Sequence, residues 1–310
     1  MERIKDKFRG CLIGGAAGDA LGYPVEFMRL TEIQAEYGEC GITRYRLKKK
    51  SARISDDTQM TLFTAGGLLS AYTKGAMCGS RESIELHAWA SYCDWYKTQI
   101  FRNSDQVGSA NSWLCSVDEL YSRRAPGFTC LSAIRDNKPG TIESPVNNSK
   151  GCGGLMRVAP VGLFCRTHPI SDPIEIAMLG AKLAALTHGH PLGYIPAATF
   201  AYLIYAIASD DQSTSLQRLV ENSIEVTRKC FPDSESCDVL CKLMNKAIEL
   251  SSQSIDDISA INELGAGKVA EETLAIAVYC ALKYSNDFEK AIIAAVNHDG
   301  DSDSTGAVCG

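Results

Sequence analysis

Apolar positions recur along most of this chain every three to four residues, the spacing of helices buried along one face, and no series of segments alternates in the two-residue rhythm of strands. From Pro173 onward the pattern predicts helices over roughly 173–188, 193–209, 214–230, 236–250, 268–285 and 287–297. Residues 4–25 also read as a helix, one rich in small residues. Gly10, Gly14, Gly15 and Gly18 recur on one side of it, which permits close packing on another helix although each interior glycine costs roughly 1 kcal/mol relative to alanine. The helix breaks at Gly22-Tyr23-Pro24, ahead of Glu26 and Phe27. Residues 38–55 are polar, basic and irregular. Ser55-Asp56-Asp57-Thr58 then opens a helix with a serine N-cap, acids in the first turn and an apolar stripe of Leu62, Ala65, Leu68 and Leu69. Capping accounts for Ser55 and one aspartate, but not for two aspartates and a threonine together. Another helix is predicted over 83–96, with Trp89, Tyr92, Cys93 and Tyr96 on one face. Residues 122–154 are the least regular part, punctuated by proline, glycine and asparagine. A loop of that length in a compact domain is functional or disordered.

Composition narrows the class. A hydrophobic share of 45% with 22% charged residues is ordinary for a soluble globular protein, and a net charge of -6 leaves no basic footprint for nucleic acid. The polar start, Met1 to Lys7, is unlike a secretory signal, and no apolar run reads as a membrane span, so the chain is expected in the cytoplasm, away from membranes. The thirteen cysteines stand in apolar contexts such as Cys11, Cys93 and Cys280, without the paired spacing of a zinc site. They read as reduced, mostly buried small hydrophobes.

Several segments carry candidate chemistry. His298-Asp299-Gly300-Asp301-Ser302-Asp303-Ser304-Thr305-Gly306 packs three carboxylates and three hydroxyls around a glycine. Taken alone it is either a solvated acidic turn or an oxygen-only site for a hard divalent cation such as Mg²⁺, Mn²⁺ or Ca²⁺. Gly151-Cys152-Gly153-Gly154 precedes an apolar run and reads either as a phosphate cradle or as a turn. His188 and His190, beside Gly189 and Pro191, fit metal ligands, substrate contacts or a helix cap; with no third histidine or cysteine nearby, zinc is disfavoured. Gly265-Ala266-Gly267-Lys268 fails as a nucleotide loop, because Asn262 stands where the first glycine is needed and Val269 where a hydroxyl is needed. Glu271-Glu272 reads as the acidic first turn of a helix.

Together these segments resemble the ADP-ribosylglycohydrolase family. The likeness runs nearly end to end, through Gly14 to Gly22 with Glu26, Ser55 to Thr58, Arg124-Ala125-Pro126-Gly127, Gly151 to Pro160, His188 to Tyr194, Ala270-Glu271-Glu272 and Gly300 to Ala307, in the family's order. The resemblance implies one all-α domain over residues 1–310, an orthogonal helical bundle with two Mg²⁺ or Mn²⁺ ions in an ADP-ribose cleft. It places the metal ligands on Ser55, Asp56, Asp57, Asp301, Asp303 and Ser304. Catalytic roles fall on Glu26, Asp57 and Asp303, and substrate contacts on Gly151, Cys152, Gly153, His188, His190 and Tyr194. Ser55 and Ser304 stand where relatives often carry threonine, and each keeps the hydroxyl oxygen. Cys152 stands where several carry asparagine, and Lys268 where an aromatic residue is frequent. The chain stops at Gly310, where the family generally continues, which implies a shortened chain or an unusual final packing.

The activity so implied is hydrolysis of the bond between ADP-ribose and a protein side chain, arginine first among acceptors, with an ADP-ribosylated protein or small conjugate as partner. ADP-ribosyl-serine and O-acetyl-ADP-ribose are alternative substrates. A catalytically silent ADP-ribose-binding relative is the alternative of a different class, against which the complete carboxylate set argues.

Overall fold

The computed structural model describes residues 2–80 and 82–310, and the helical periodicity of the sequence becomes helices joined by short turns. The first half carries α1 (Glu2–Gly22), α2 (Leu30–Tyr37), α3 (Asp56–Cys78), α4 (Ile84–Ile100), α5 (Phe128–Arg135) and α6 (Ala159–Thr167). The second carries α7 (Pro173–Ala185), α8 (Pro191–Ser209), α9 (Leu216–Cys230), α10 (Glu235–Ser251), α11 (Asp257–Leu264), α12 (Ala270–Lys283), α13 (Phe288–Val296) and α14 (Ser302–Cys309). Among the described residues the only β pairing is two isolated bridges, Lys48 with Ser51 and Gly151 with Val269. The fold is all-α, as expected.

The main core gathers around α8, against which α7, α6, α9, α10 and α12 pack. By length and composition α8 is apolar enough to cross a membrane, contrary to the sequence reading. Its apolar surface has another explanation: 67% of the qualifying stretch is buried inside the protein, as a central core helix requires. A smaller cluster of Leu21, Val25, Ile33, Ile42, Ile292 and Val296 packs the end of α1 onto α2 and α13.

The predicted face of α3 is corrected. Leu69 is 55% exposed and Leu62 and Ala65 only partly covered, whereas Met60, Phe63, Leu68 and Ala71 are buried. The cause is Gly67, where a Cβ would lie 2.7 Å from the Ala88 Cα, so α4 approaches along the glycine's side. On α4, Trp95 is fully buried and outranks Cys93 and Tyr96, which are half-buried. The irregular stretch 122–154 holds an unforeseen helix, α5, anchored by Cys130, Ala133 and Ile134. Helices α2 and α11, of eight residues each, were likewise too short for periodicity to reveal.

What positions the candidate site is the pairing of α1 with α14, which run antiparallel. Gly14 faces Gly310, Gly18 faces Gly306 and Gly22 faces Ser302, and a Cβ at any of these three glycines of α1 would run into the opposite carbonyl. The small residues were expected to admit a close partner, and that partner is the last helix. Gly10 is the exception, since a Cβ there meets nothing within 4 Å.

Candidate active site

Asp19, one residue beyond the Gly18–Gly306 contact, is fully buried on α1. Its carboxylate accepts hydrogen bonds from the Ser55 amide at 2.8 and 3.0 Å, from the Thr58 amide at 3.1 Å and from the Thr58 hydroxyl. One acid therefore fixes the start of α3 to α1. Ser55 Oγ caps α3 by accepting from the Asp57 amide at 3.1 Å, so Asp56 and Asp57 project from the first turn, where unpaired amides and the helix dipole favour anions. Arg124 to Gly127 clamps the same turn: the Asp56 amide donates to the Arg124 carbonyl at 2.9 Å, and Asp56 Oδ2 accepts from the Gly127 amide at 3.1 Å.

The second half of the cluster comes from the start of α14. Gly300 sits at φ +156°, where a Cβ would strike the Ala266 carbonyl, and the Asp301 amide donates to that same carbonyl at 3.2 Å. Asn297 locks the preceding turn to Ile42, accepting from its amide at 2.8 Å and donating to its carbonyl at 2.9 Å. Asp303 Oδ1 accepts from the Ser304 amide at 3.0 Å. Asp301 Oδ2 accepts from the Cys152 thiol at 3.1 Å, and Ser304 Oγ donates to Cys152 Sγ at 3.3 Å. Cys152 opens the short 3-10 turn Cys152–Gly154, held by the Gly151–Val269 bridge and by Lys150, whose Nζ lies 2.6 Å from Glu271 Oε1. Glu271 is thus a buried ion-pair partner as well as a first-turn acid.

Ser55, Asp56, Asp57, Asp301, Asp303 and Ser304 are all buried, and Glu26 is half-buried beside them. For Asp56, Asp57 and Asp303, burial first, and the neighbouring carboxylates after it, push the carboxyl group upward. Asp56, Asp57 and Asp303 rise well above the usual carboxylate range. Glu26 rises to about 8, through burial and then the charges of Asp301 and Asp19. Asp19 rises only to about 6, because the hydrogen bonds from Ser55 and Thr58 offset part of the burial. Asp57 Oδ2 is buried with no hydrogen-bond partner.

Such a cluster is costly unless protons or a cation neutralise it. Its donors are carboxylate and hydroxyl oxygens, the set a hard divalent cation takes, and an orphaned Asp57 oxygen among them fits that use. Among the described residues no three histidine, cysteine, aspartate or glutamate side chains converge as a closed ligand set. The carboxylates turn instead onto protein donors, Asp56 onto Gly127 and Asp301 onto Cys152. A cavity of about 390 Å³ lies apart from them, walled by apolar residues such as Leu12, Leu163, Phe200, Ile204 and Val278 and by none of the clustered acids.

The residues expected to touch substrate divide into two kinds. Gly151, Cys152 and Gly153 adjoin the cluster, and His188 packs over them: a Cβ on Gly153 would stand 3.0 Å from the His188 Cε1. His188 is buried and pulled down to about 3 by burial and then by Arg157, so it is neutral and its Nδ1 shares a 2.9 Å hydrogen bond with Thr187 Oγ1. His190 Nδ1 accepts from the Leu192 amide at 2.9 Å and caps α8, and Tyr194 is buried with its ring 6.1 Å from Phe231. Sequence reasoning missed Asp19 as the hub. Its signal was the lone acid in the small and apolar stretch 10–22 of α1, which a buried face tolerates only with donors waiting.

Comparison with known proteins bears on the family and the fold. The sequence profile described as ADP-ribosylglycohydrolase matches residues 1–310. An uncharacterized protein of Archaeoglobus fulgidus is 26% identical over 99% of this chain and 86% of its own length. ADP-ribosylhydrolase ARH3 of Gallus gallus is 25% identical over 98% of this chain and 83% of its own length. The ADP-ribosyl-dinitrogen reductase glycohydrolase of Rhodospirillum rubrum is 27% identical over 65% of this chain and 58% of its own length. A solved structure titled ADP-ribosylglycohydrolase-related protein complex superposes with a TM-score of 0.60 at 20% identity, covering 100% of this chain and 86% of that one, a likeness of fold.

Proposed function

The chain belongs to the ADP-ribosylglycohydrolase family, and on that premise we propose that it is a hydrolase releasing ADP-ribose from a modified protein side chain, with arginine as acceptor. The observation that carries this reading is the buried cluster of Asp56, Asp57, Asp301 and Asp303, assembled from both ends of the chain beside the Cys152–Gly154 turn. In this reading Asp56, Asp57, Asp301 and Asp303, with the hydroxyls of Ser55 and Ser304, hold two divalent cations, Mg²⁺ or Mn²⁺. Cations held there would supply Lewis acidity, enough to make water acidic near neutral pH.

The chain's own groups do the rest. Asp57 Oδ2, without a partner, accepts a proton from the attacking water, and Glu26, the one half-buried acid of the group, passes protons between the site and solvent. The remaining negative charge, Asp303 included, stabilises the oxocarbenium character that develops at the ribose carbon. Gly151 to Gly153 hold the ligand's diphosphate, with neutral His188 fixing the turn from behind rather than exchanging protons. A reducing, cytoplasmic setting belongs to the same reading and is supported by thirteen free thiols.

The test is incubation with ADP-ribosylated arginine peptides, with and without Mg²⁺ or Mn²⁺, following free ADP-ribose. Serine peptides and O-acetyl-ADP-ribose run in parallel. Cation-dependent release from arginine is expected. Release from serine or acetyl conjugates alone would move the acceptor, and release from none would leave an ADP-ribose-binding protein.

A further inference from the structure

Among the described residues Cys152 is the one cysteine whose sulfur touches a carboxylate oxygen, and it does so inside the acidic cluster. Sγ lies 3.1 Å from Asp301 Oδ2 and 3.3 Å from Ser304 Oγ, two oxygens from the start of one helix. Neighbouring ligands on an octahedral cation, with metal–oxygen bonds of about 2.1 Å and a metal–sulfur bond of about 2.3 Å, stand about 3.1 Å apart. The sulfur is therefore spaced from two candidate ligands as a third ligand would be. Independently, Asp57 Oδ2 is buried without a partner, while burial and then the charges of Asp301 and Asp57 push the cation-free thiol well up. The turn carrying Cys152 cannot easily retreat, since the Gly151–Val269 bridge holds one side and His188 covers Gly153 on the other.

We infer that Cys152 supplies a sulfur ligand to the cation held by Asp301 and Ser304, and so tilts this centre away from Mg²⁺ toward Mn²⁺ and more thiophilic divalent ions. The inference rests on the proposed cation site and adds to it a donor of a different class. The Sγ–metal bond forms as the thiol proton leaves to solvent, with no change of oxidation state. Thiolate bonds to borderline and soft ions are strong while Mg²⁺ gains little from sulfur, so the choice of ion follows from this one side chain.

Two measurements on the full chain decide the matter, neither of which uses turnover. Co²⁺ and Cd²⁺ are titrated into wild type, Cys152→Ser and Cys152→Asn, and the near-ultraviolet sulfur-to-metal charge-transfer band is recorded. Calorimetry then gives Cd²⁺, Mn²⁺ and Mg²⁺ affinities for the same three proteins. Wild type should show the band. Both variants should lose it, together with about 10- to 100-fold in Cd²⁺ affinity, while Mg²⁺ affinity stays within about threefold. The remaining cysteines are common to all three proteins, so only the difference counts. Two variants of unlike size guard against a folding defect in one, checked by circular dichroism. If cations bind but the band is equal in all three, or all ions weaken together, Cys152 only positions Asp301 through its hydrogen bond; the inference falls and the hydrolase reading stands. If wild type binds no divalent cation, both fall.

Discussion

Asp57 unites a capped helix start, full burial and an unpartnered carboxylate oxygen, and a proton-accepting role is most exposed to test there. Asp57→Asn is nearly isosteric and keeps the backbone amide that Ser55 caps. The fold should therefore survive, and the cation-free protein should melt slightly higher, because one mutually repelling acid has gone. ADP-ribose affinity should persist in part through the Gly151–Gly153 turn. Turnover should fall by about 10²–10⁴-fold, the usual worth of a general base, and further if a cation is lost. Measuring kcat beside ADP-ribose affinity for both proteins separates these effects; undiminished turnover would remove Asp57 from the chemistry. Residues like Asp57 were legible in the sequence because two acids and a hydroxyl exceed what a cap requires. Asp19 was not, since its donors lie 36 to 39 positions away and only the fold reveals them. The side-chain contacts of Cys152 were hidden for the same reason: its partners are 149 and 152 residues distant.

At the scale of elements the decisive contact is backbone against backbone. Gly18 on α1 and Gly306 on α14 leave no room for a methyl group, and this contact holds Asp303 and Ser304 against the α1–α3 junction. Gly18→Ala should overpack that seam, costing about 1–3 kcal/mol or more and weakening divalent binding with it. Gly10→Ala, with open space around its Cβ, should be neutral or gain up to about 1 kcal/mol from helix propensity. Denaturant unfolding of the pair, with Mn²⁺ calorimetry on each, is the check; equal behaviour would mean the seam is not what aligns the two helix starts. The long helices and the small-residue face of α1 were readable from periodicity. The identity of its partner was not, because α14 is eight residues long and begins within an acidic run that reads as a turn. Helices α2, α5 and α11 escaped for the related reason that eight residues carry barely two turns of pattern.

Across the whole molecule, stability is tied to the charge of a cluster drawn from both chain ends. Glu26 rises from 4.5 to about 8 and Asp19 from 3.8 to about 6 on folding, so between those limits the folded protein keeps protons that the unfolded chain releases. The stabilisation these groups contribute is complete below their unfolded values and is lost as pH rises through the folded ones. Without divalent cations, then, the melting temperature should fall as pH is raised from about 5 to about 8. A cation that binds only the folded state reverses the trend, adding RT ln(1 + [L]/Kd), and it binds better as the carboxylates lose their protons. Melting curves across that range, in EDTA and in Mn²⁺, should diverge with rising pH. Asp56→Ala and Asp303→Ala, one from each end of the chain, should each collapse the difference, since each removes one side of a site that neither side forms alone. A melting temperature insensitive to Mn²⁺ at the upper end of the range, or a Mn²⁺ response preserved in both variants, would show that the acids are neutralised by protons alone and that the shared cation site is wrong.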